Sequence, residues 1–217
     1  MTDLPTLVFA TQNQGKLEEL KGLISHKVHL ISLNELNFGE DIPETTGTLE
    51  GNAHQKASTI YKRFGKPCFS DDSGLFVNAL DGAPGVDSAH YSGSRDNEKN
   101  IAHLLSNLSH FKDRSAYFKT VFCLITYDNT YYFEGIVEGH IADGSRGNNG
   151  FGYDPIFVPE GYNQTFGELD KEIKKSLSHE MRAHQSLLAL SSLSLRNFTS
   201  KRGRVYFIPC LAIHFHV

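Results

Sequence analysis

Short apolar segments typical of buried strands alternate along this chain with longer segments whose apolar residues recur at helical spacing. Residues 7–10 and 28–31 predict two strands, and leucines at every third position between them predict a helix over 16–24. A second helix is predicted over 49–64, where apolar residues recur every three or four positions until Gly65 ends the pattern. This alternation favours a sheet covered by helices.

Two β-rich segments in the middle of the chain predict an antiparallel hairpin. They span 117–127 and 130–141, and only the turn-forming residues Asp128 and Asn129 separate them. A hairpin combined with strands that alternate with helices predicts an α/β fold, with a mixed β-sheet and flanking helices.

Four further segments complete the predicted elements. A short strand over 67–77 is expected to be interrupted by the turn-forming residues 71–74, and a helix is predicted over 97–108. Residues 142–155 are rich in glycine and predict a loop, while leucines predict a last helix over 178–195. No repeat or linker divides the chain, so a single main domain is expected.

Charge and composition exclude several classes of protein. The 217 residues carry 21 basic and 25 acidic side chains, a net charge of −4, which provides no positive field for a nucleic acid partner. No segment approaches the roughly 20 apolar residues that span a membrane, and residues 1–16 lack the features of a signal peptide. Cys68, Cys123 and Cys210 are odd in number and widely spaced, so we expect reduced thiols and a cytoplasmic location.

The loop between the first strand and the first helix is a candidate phosphate site. Backbone N–H groups at the start of a helix, together with a lysine, attract anions. The segment is not a Walker A loop, because Ala10 and Leu17 stand where that motif needs a glycine and a hydroxyl. An ordinary turn with a solvated lysine is the alternative. The candidate residues are Thr11, Gln12, Asn13, Gln14, Gly15 and Lys16.

A second candidate combines Glu44 with the predicted helix over 49–64. Asn52 and Lys56 lie one helical turn apart in this helix and share a face. Because Lys56 borders the apolar face, its ammonium must either extend to solvent or meet an anion. Extension to solvent is the simpler alternative.

The acidic pair Asp71 and Asp72, followed by Ser73, is a third candidate. Adjacent residues of a strand point to opposite faces, so we expect at most one of the two carboxylates to face a given cleft. Both stand in an apolar stretch and need a cation or hydrogen-bond donors to offset the loss of water. Mg²⁺ bound by carboxylates and phosphate oxygens fits that requirement, and an Asx turn is the alternative.

The glycine-rich loop at 147–157 is a fourth candidate. Its glycines allow the backbone to approach a flat ligand, on which Phe151 or Tyr153 can stack, but a loop with core aromatics is the alternative. A fifth candidate, 174–179, places Lys174 and His179 at the start of the last predicted helix. A basic, solvated surface is the alternative there.

Together, these segments resemble the inosine triphosphate pyrophosphatase family, the non-canonical purine nucleoside triphosphate pyrophosphatases, from about residue 7 to residue 195. The most specific matches are DDSGLFVNALDGAPGVDSAHYSG (71–93) and GFGYDPIFVP (150–159). The others are FATQNQGKLEEL (9–20), PETTGTLEGNAHQKA (43–57), AYFKTVFCL (116–124), FGEL (166–169) and K-x-x-x-S-H (174–179).

The resemblance implies hydrolysis of inosine, deoxyinosine or xanthosine triphosphate to the monophosphate and pyrophosphate. It implies an elongated mixed sheet with two lobes around a central nucleotide cleft, usually in a homodimer, with residues 1–198 as the pyrophosphatase domain. Residues 11–16 would hold the triphosphate, with Lys16 and Lys56 on its charge, and Asp72 would accept a proton from the attacking water. The implied Mg²⁺ ligands are Glu44, Asp72 and Asp71. The implied nucleotide contacts are Ser73, Phe151, Gly152, Tyr153, Asp154, Lys174 and His179.

The chain departs from the family pattern at three places. Glu180 stands where the family usually has an arginine that reads the base, and Arg182 follows two positions later. His90 replaces another common arginine, and residues 199–217 extend past the expected end, with a possible added strand at 205–208. Two alternatives therefore remain: a related pyrophosphatase with another base preference, and a catalytically weak nucleotide-binding protein.

Overall fold

The computed structural model of the chain describes residues 4–24, 28–177 and 205–207. Its helices are α1 (Gln14–Ile24), α2 (Leu49–Phe64), α3 (Asn97–Asn107) and α4 (Lys171–Leu177), with short 3₁₀ turns at Asn78–Leu80 and Ser88–His90. Its strands are β1 (Thr6–Phe9), β2 (His29–Ile31), β3 (Cys68–Val77), β4 (Pro84–Gly85), β5 (Ser115–Ile125), β6 (Thr130–Ile141), β7 (Phe157–Pro159) and β8 (Val205–Phe207).

The eight strands of the described residues belong to one mixed sheet, as the sequence predicts. The order is β2-β1-β3-β5-β6-β7, with β4 paired to β3 and β8 paired to β6. Strands β1, β2 and the start of β3 are parallel, whereas β3, β5, β6 and β7 are antiparallel to their neighbours. In the part of the chain that the structure describes, no helix has the length and apolar character needed to cross a bilayer.

Helices α1 and α2 cover opposite faces of the sheet. Leu17 and Leu20 of α1 pack against one face, in a cluster that includes Phe9 and Phe69, whose rings stack at 4.3 Å. On the other face, α2 packs its buried side chains, including Ala57, against the strands. Alternate residues of β1 and β3 therefore point into different cores.

The capping residues of α2 explain its sharp ends. Thr48 accepts a hydrogen bond from the Gly51 N–H at 3.0 Å, as N-cap side chains do. Gly65 ends the helix in the left-handed conformation, with φ of 63°, which glycine adopts at little cost. The predicted boundaries of 49 and 64 are confirmed.

A third core forms around the other ends of the long strands. Leu75, Ala116 and Val137 from β3, β5 and β6 pack there against Leu104 of α3 and Phe166. Because β3 and β5 also supply residues to the first two cores, the same long strands join two lobes. The predicted α/β fold is confirmed.

One prediction about an individual element is wrong. Residues 71–74 do not interrupt the strand, because β3 pairs with β5 without a break from Cys68 to Val77. Helix α4 over Lys171–Leu177 was not predicted, and the last helix predicted over 178–195 lies outside the described residues. The possible strand at 205–208 is present as β8, parallel to β6.

Candidate active site

A cleft of about 480 Å³ opens where β3 lacks a neighbouring strand along one edge. On that edge, β1 pairs with Cys68 and Phe69, and β4 pairs with Leu75 and Phe76. Within the described residues, no strand covers 70–74 on that side. The cleft is lined by Thr11, Asn13, Lys16, Glu44, Lys56, Asp71, Asp72, Ser73, Gly74, Leu75, Ser88, Ala89, Arg95, Asn97, Phe118, Phe151, Gly152, Tyr153, Asp154, Phe166 and Lys174.

Both carboxylates of the acidic pair line this cleft, although they point to opposite faces of β3. Asp71 lies on the α1 side, where Lys16 reaches it, and Asp72 lies on the α2 side, where Lys56 reaches it. The expectation that only one of them faces the cleft is therefore wrong. The physical reason is the open edge of β3, which lets the cleft extend to both faces of the sheet.

The Lys16–Asp71 ion pair joins the first turn of α1 to β3. The Lys16 ammonium lies 2.5 Å from an Asp71 carboxylate oxygen, and the two side chains are 21% and 6% exposed. Lys16 is thus held in the cleft instead of extending into solvent, which rules out the alternative of an ordinary turn with a solvated lysine. The fold places a cation at the start of α1, as an anion site requires.

Lys56 connects Asp72 with Glu44. Its ammonium lies 3.3 Å from Asp72 Oδ1 and also donates to Glu44, while the lysine side chain is only 14% exposed. Asn52, one turn earlier on α2, donates from Nδ2 to Asp72 Oδ2 at 3.1 Å. The shared face of Asn52 and Lys56 is confirmed, and Lys56 meets carboxylates instead of extending to solvent.

Burial and charge shift the pKa values of this pair. Burial raises the pKa of the Asp72 carboxyl, and the Lys56 ammonium and the Asn52 amide offset only part of that rise. Burial disfavours the charged ammonium of Lys56, but the neighbouring carboxylates, Asp72 foremost, outweigh it and hold the pKa of Lys56 above its ordinary value. Lys56 is therefore a permanent cation, and Asp72 is a carboxylate that favours additional positive charge.

The loop over 150–154 is organised by Asp154. One carboxylate oxygen of Asp154 accepts from the Phe151 N–H at 2.6 Å and from the Lys174 ammonium at 2.5 Å. The same ammonium lies 5.1 Å from the centre of the Phe151 ring, which is 63% exposed. This exposed ring over a cation is available to stack on a flat ligand.

Tyr153 has a different environment. It is buried at 4% exposure and donates from its hydroxyl to the Ser88 carbonyl at 2.9 Å. Burial raises the pKa of its phenol well above the ordinary value. Tyr153 thus joins the glycine-rich loop over 147–157, called the nucleotide loop below, to the turn at Ser88–His90. It supports the cleft wall more than it offers a stacking face.

Most of the predicted site residues meet in this cleft, and a few do not. Gln12, Gln14 and Gly15 are absent from the cleft lining, and Gln12 donates instead to the Glu40 carbonyl at 3.2 Å. Ser73 lines the cleft and hydrogen-bonds Thr120 on β5. His179 lies outside the described residues, together with Glu180 and Arg182.

The structure adds lining residues that no sequence pattern singled out. Ser88, Ala89, Arg95 and Asn97 come from the segment that follows β4 and ends at the first residue of α3. Phe118 and Phe166, whose ring centres lie 6.3 Å apart, belong to the third core. The only sequence signal for Ser88 and Ala89 was their position in the motif over 71–93, and Arg95 and Asn97 lie beyond that motif. Local patterns do not show that the segment turns back over β3.

The oxygen donors of the site determine whether a divalent cation fits it. In the described part of the chain, no group of three or more His, Cys, Asp or Glu side chains converges closely enough to hold a metal ion. Glu44 and Asp72 do converge, on the Lys56 ammonium, whereas Asp71 is engaged by Lys16. Two carboxylates fit Mg²⁺ in the usual manner, in which phosphate oxygens and water complete the shell.

Comparison with known proteins connects the chain to one family over most of its length. A sequence model of the Ham1 family matches residues 7–190. A curated relative from Porphyromonas gingivalis, named dITP/XTP pyrophosphatase, is 46% identical over 194 residues, which cover 88% of this chain and 96% of the relative. A relative of the same name from Flavobacterium johnsoniae is 45% identical over 185 residues and covers 85% and 96%.

Solved structures agree with the sequence relatives. The Ham1 protein of Staphylococcus aureus superposes with a TM-score of 0.82 at 40% identity, covering 86% of this chain and 98% of that structure. A HAM1 protein from Coxiella burnetii gives a TM-score of 0.84 at 36% identity, covering 88% and 100%.

Proposed function

The chain belongs to the Ham1 family, and from this premise we propose that it hydrolyses non-canonical purine nucleoside triphosphates to the monophosphate and pyrophosphate. Relatives named dITP/XTP pyrophosphatase point to deoxyinosine and xanthosine triphosphates, with inosine triphosphate beside them, as the substrates. The observation that carries the proposal is the convergence of Asp72, Glu44, Lys56 and Lys16 in one cleft with an exposed aromatic ring at Phe151.

Phosphoryl chemistry of this kind requires positioning and neutralisation of charge more than covalent help from the protein. Lys16 and Lys56 approach from opposite faces of β3 and place two ammonium groups along the cleft. A triphosphate bound there would balance part of the positive charge of these ammonium groups, which Asp71, Asp72 and Glu44 balance in its absence. These lysines thus stabilise the negative charge that builds on the phosphate oxygens and the departing pyrophosphate.

We assign the role of proton acceptor to Asp72. Its carboxylate is fixed by Asn52 and Lys56, so it is held in one orientation toward the cleft. Because burial raises the pKa of Asp72, this carboxylate is a stronger base than a solvated aspartate, which suits the removal of a proton from water. Attack of that water at the α-phosphorus forms the monophosphate and releases pyrophosphate.

We propose Mg²⁺ as the cofactor, held by Glu44 and Asp72. Asp71 is the third ligand expected from the sequence, but its carboxylate neutralises Lys16 in this structure. When bound, such an ion polarises phosphate oxygens and lowers the pKa of bound water. The protein itself places the carboxylates of Glu44 and Asp72 together beside Lys56, and Asn52 holds them there.

We propose that the purine base binds over Phe151, near the Lys174–Asp154 pair. The Phe151 ring supplies a stacking face, while the Lys174 ammonium is a hydrogen-bond donor close to that ring. A donor directed at a 6-oxo group is left unmatched when a 6-amino purine binds, and such mismatches discriminate by about 10⁴ or more. In this proposal, Ser73 and Gly152 form the part of the cleft wall that faces the sugar.

We also propose that the protein is a homodimer and acts in the cytoplasm. Two of its three cysteines, Cys68 and Cys123, are buried free thiols, and burial raises the pKa of the Cys68 thiol above its ordinary value. Unreactive thiols of this kind suit a reducing compartment. Sedimentation of the purified chain tests the dimer directly.

A turnover panel with Mg²⁺ tests the proposed reaction. Inosine, deoxyinosine, xanthosine, adenosine, guanosine and pyrimidine triphosphates are compared by release of pyrophosphate, with the first three expected to react fastest. In H₂¹⁸O, the label should enter the monophosphate, and label in pyrophosphate would contradict attack at the α-phosphorus. Asp72→Asn should abolish turnover while the far-UV spectrum stays unchanged, and a variant with near-normal rates would remove Asp72 from catalysis.

A further inference from the structure

The charged side chains of the cleft are almost completely paired with one another. Among the described residues, four basic and four acidic side chains line it. Lys16 pairs with Asp71, Lys174 pairs with Asp154, and Lys56 pairs with both Glu44 and Asp72. Every carboxylate of the lining therefore already has a lysine partner, and the fourth cation is Arg95.

Arg95 differs from the three lysines. In the described residues, its guanidinium forms neither an ion pair nor a hydrogen bond, and the residue is exposed at the wall of the cleft. The neighbouring carboxylate is not available, because Asp96 caps α3 by accepting from the backbone N–H groups of Glu98 and Lys99 at 3.0 and 3.2 Å. Asp96 also lies 3.4 Å from the Lys99 ammonium. An unbalanced positive charge thus faces the cleft.

The segment that carries Arg95 is anchored at both ends. Asn100, only 2% exposed, accepts from the Ser92 N–H at 2.7 Å and donates to the Ala89 carbonyl at 3.1 Å. Tyr153 holds the Ser88 carbonyl from the opposite wall. Since the segment is fixed to α3 and to the nucleotide loop, little backbone entropy is lost when a ligand contacts Arg95.

We infer that Arg95 is a further substrate-binding residue, which contacts the polyphosphate chain of the nucleotide. The inference rests on the proposed function for the identity of the ligand. A guanidinium is well suited to phosphate, because its planar N–H donors match two phosphate oxygens at once. The polyphosphate carries most of the negative charge of the substrate, so it is the part that an unpaired cation attracts most strongly.

Binding of inorganic tripolyphosphate tests this assignment without turnover. Calorimetry in buffer with Mg²⁺ compares the wild type with Arg95→Gln, Arg95→Lys and the control Arg63→Gln, which removes an exposed arginine on α2 away from the cleft lining. Loss of one charge-assisted contact should weaken tripolyphosphate binding by about tenfold in Arg95→Gln. Arg95→Lys should recover part of the affinity, Arg63→Gln should match the wild type, and unfolding temperatures should be equal.

Kinetics supply the second readout. Arg95→Gln should raise KM by a similar factor for every accepted triphosphate, while the ratio of kcat/KM between bases stays constant. Unchanged tripolyphosphate affinity, or a change confined to the ratio between bases, would overturn the inference. If the wild type releases no pyrophosphate but Arg95→Gln still loses tripolyphosphate affinity, the proposed function fails and the anion site at Arg95 stands.

Discussion

Replacement of Asn52 by alanine tests how the acidic site is held together. Asn52 is 3% exposed, and its amide joins three groups. Its Nδ2 donates to Asp72 at 3.1 Å, and its Oδ1 accepts from the Thr46 N–H at 3.1 Å and from the Thr46 hydroxyl at 2.9 Å. Because Glu44 lies two residues before Thr46, one side chain positions both proposed Mg²⁺ ligands.

The expected cost follows from these contacts. A hydrogen bond to a charged group contributes about 2 kcal/mol and a neutral one about 1 kcal/mol, and water compensates part of the loss at the exposed Thr46. Asn52→Ala should therefore lower the free energy of unfolding by about 3 kcal/mol. For a chain of this size, that corresponds to a fall in Tm of roughly 6–12 °C.

The effect on Mg²⁺ distinguishes a positioning residue from a merely structural one. Residues that orient metal ligands typically contribute 10- to 100-fold to metal affinity, so the Mg²⁺ concentration for half-maximal turnover should rise by at least about tenfold. The matched control is Thr48→Ala, which removes the N-cap of the same helix at a cost of about 1 kcal/mol without touching Asp72. Equal Mg²⁺ dependence in both variants would refute the reasoning.

Two further predictions concern Asp72 and the nucleotide loop. Burial raises the pKa of Asp72 in the folded state, so its contribution to stability is present below the unfolded pKa of about 4 and is lost as pH rises through the folded pKa. Asp72→Asn has no carboxyl group to titrate, so without metal its free energy of unfolding should not fall in this way. The free energy of unfolding of the variant minus that of the wild type, measured by urea titration, should therefore increase from about pH 4 to pH 7. A difference that stays constant with pH would contradict the assignment. Gly147→Ala should lower the free energy of unfolding by at least about 2 kcal/mol in the same assay. The reason is that φ is +75° at this position and the new Cβ would lie 2.0 Å from the Gly167 carbonyl oxygen. A change near zero would show that the loop adjusts to the methyl group without cost.

The periodic parts of the fold could be predicted from the sequence because local pattern and tertiary packing agree there. The boundaries of α2 follow from its apolar spacing and from Gly65, and the hairpin of β5 and β6 follows from Asp128 and Asn129. The acidic segment of β3 shows where this agreement fails. Asp, Ser and Gly favour a turn locally, but continuous pairing with β5 outweighs that preference.

The packing around Gly74 explains why a turn-forming glycine occurs inside β3. A Cβ at this position would lie 2.3 Å from the Gly85 carbonyl oxygen, so the close approach of β4 requires a glycine there. The glycine was visible in the sequence, but the reason for it is a contact with Gly85, eleven residues away.

The sequence predicts which residues belong to the site, but not which carboxylate forms an ion pair with which lysine. Sequence reasoning grouped Asp71 with Glu44 and Asp72, whereas the structure pairs Asp71 with Lys16 across the opposite face of the sheet. Arg95 was missed because nothing in its neighbourhood distinguishes it from a solvated arginine. Its significance depends on which cations elsewhere in the cleft are already neutralised, and that is a property of the folded chain alone.

The position of β8 has a consequence for how this protein is made. Val205–Phe207 pairs with Tyr131–Phe133 of β6, yet it is synthesised long after that strand and lies beyond the residues matched by the family model. While the ribosome still holds the last segment, the main-chain groups of β6 on that side are open to pairing with other nascent chains. Expression designs that stop at the family boundary would make this temporary exposure permanent.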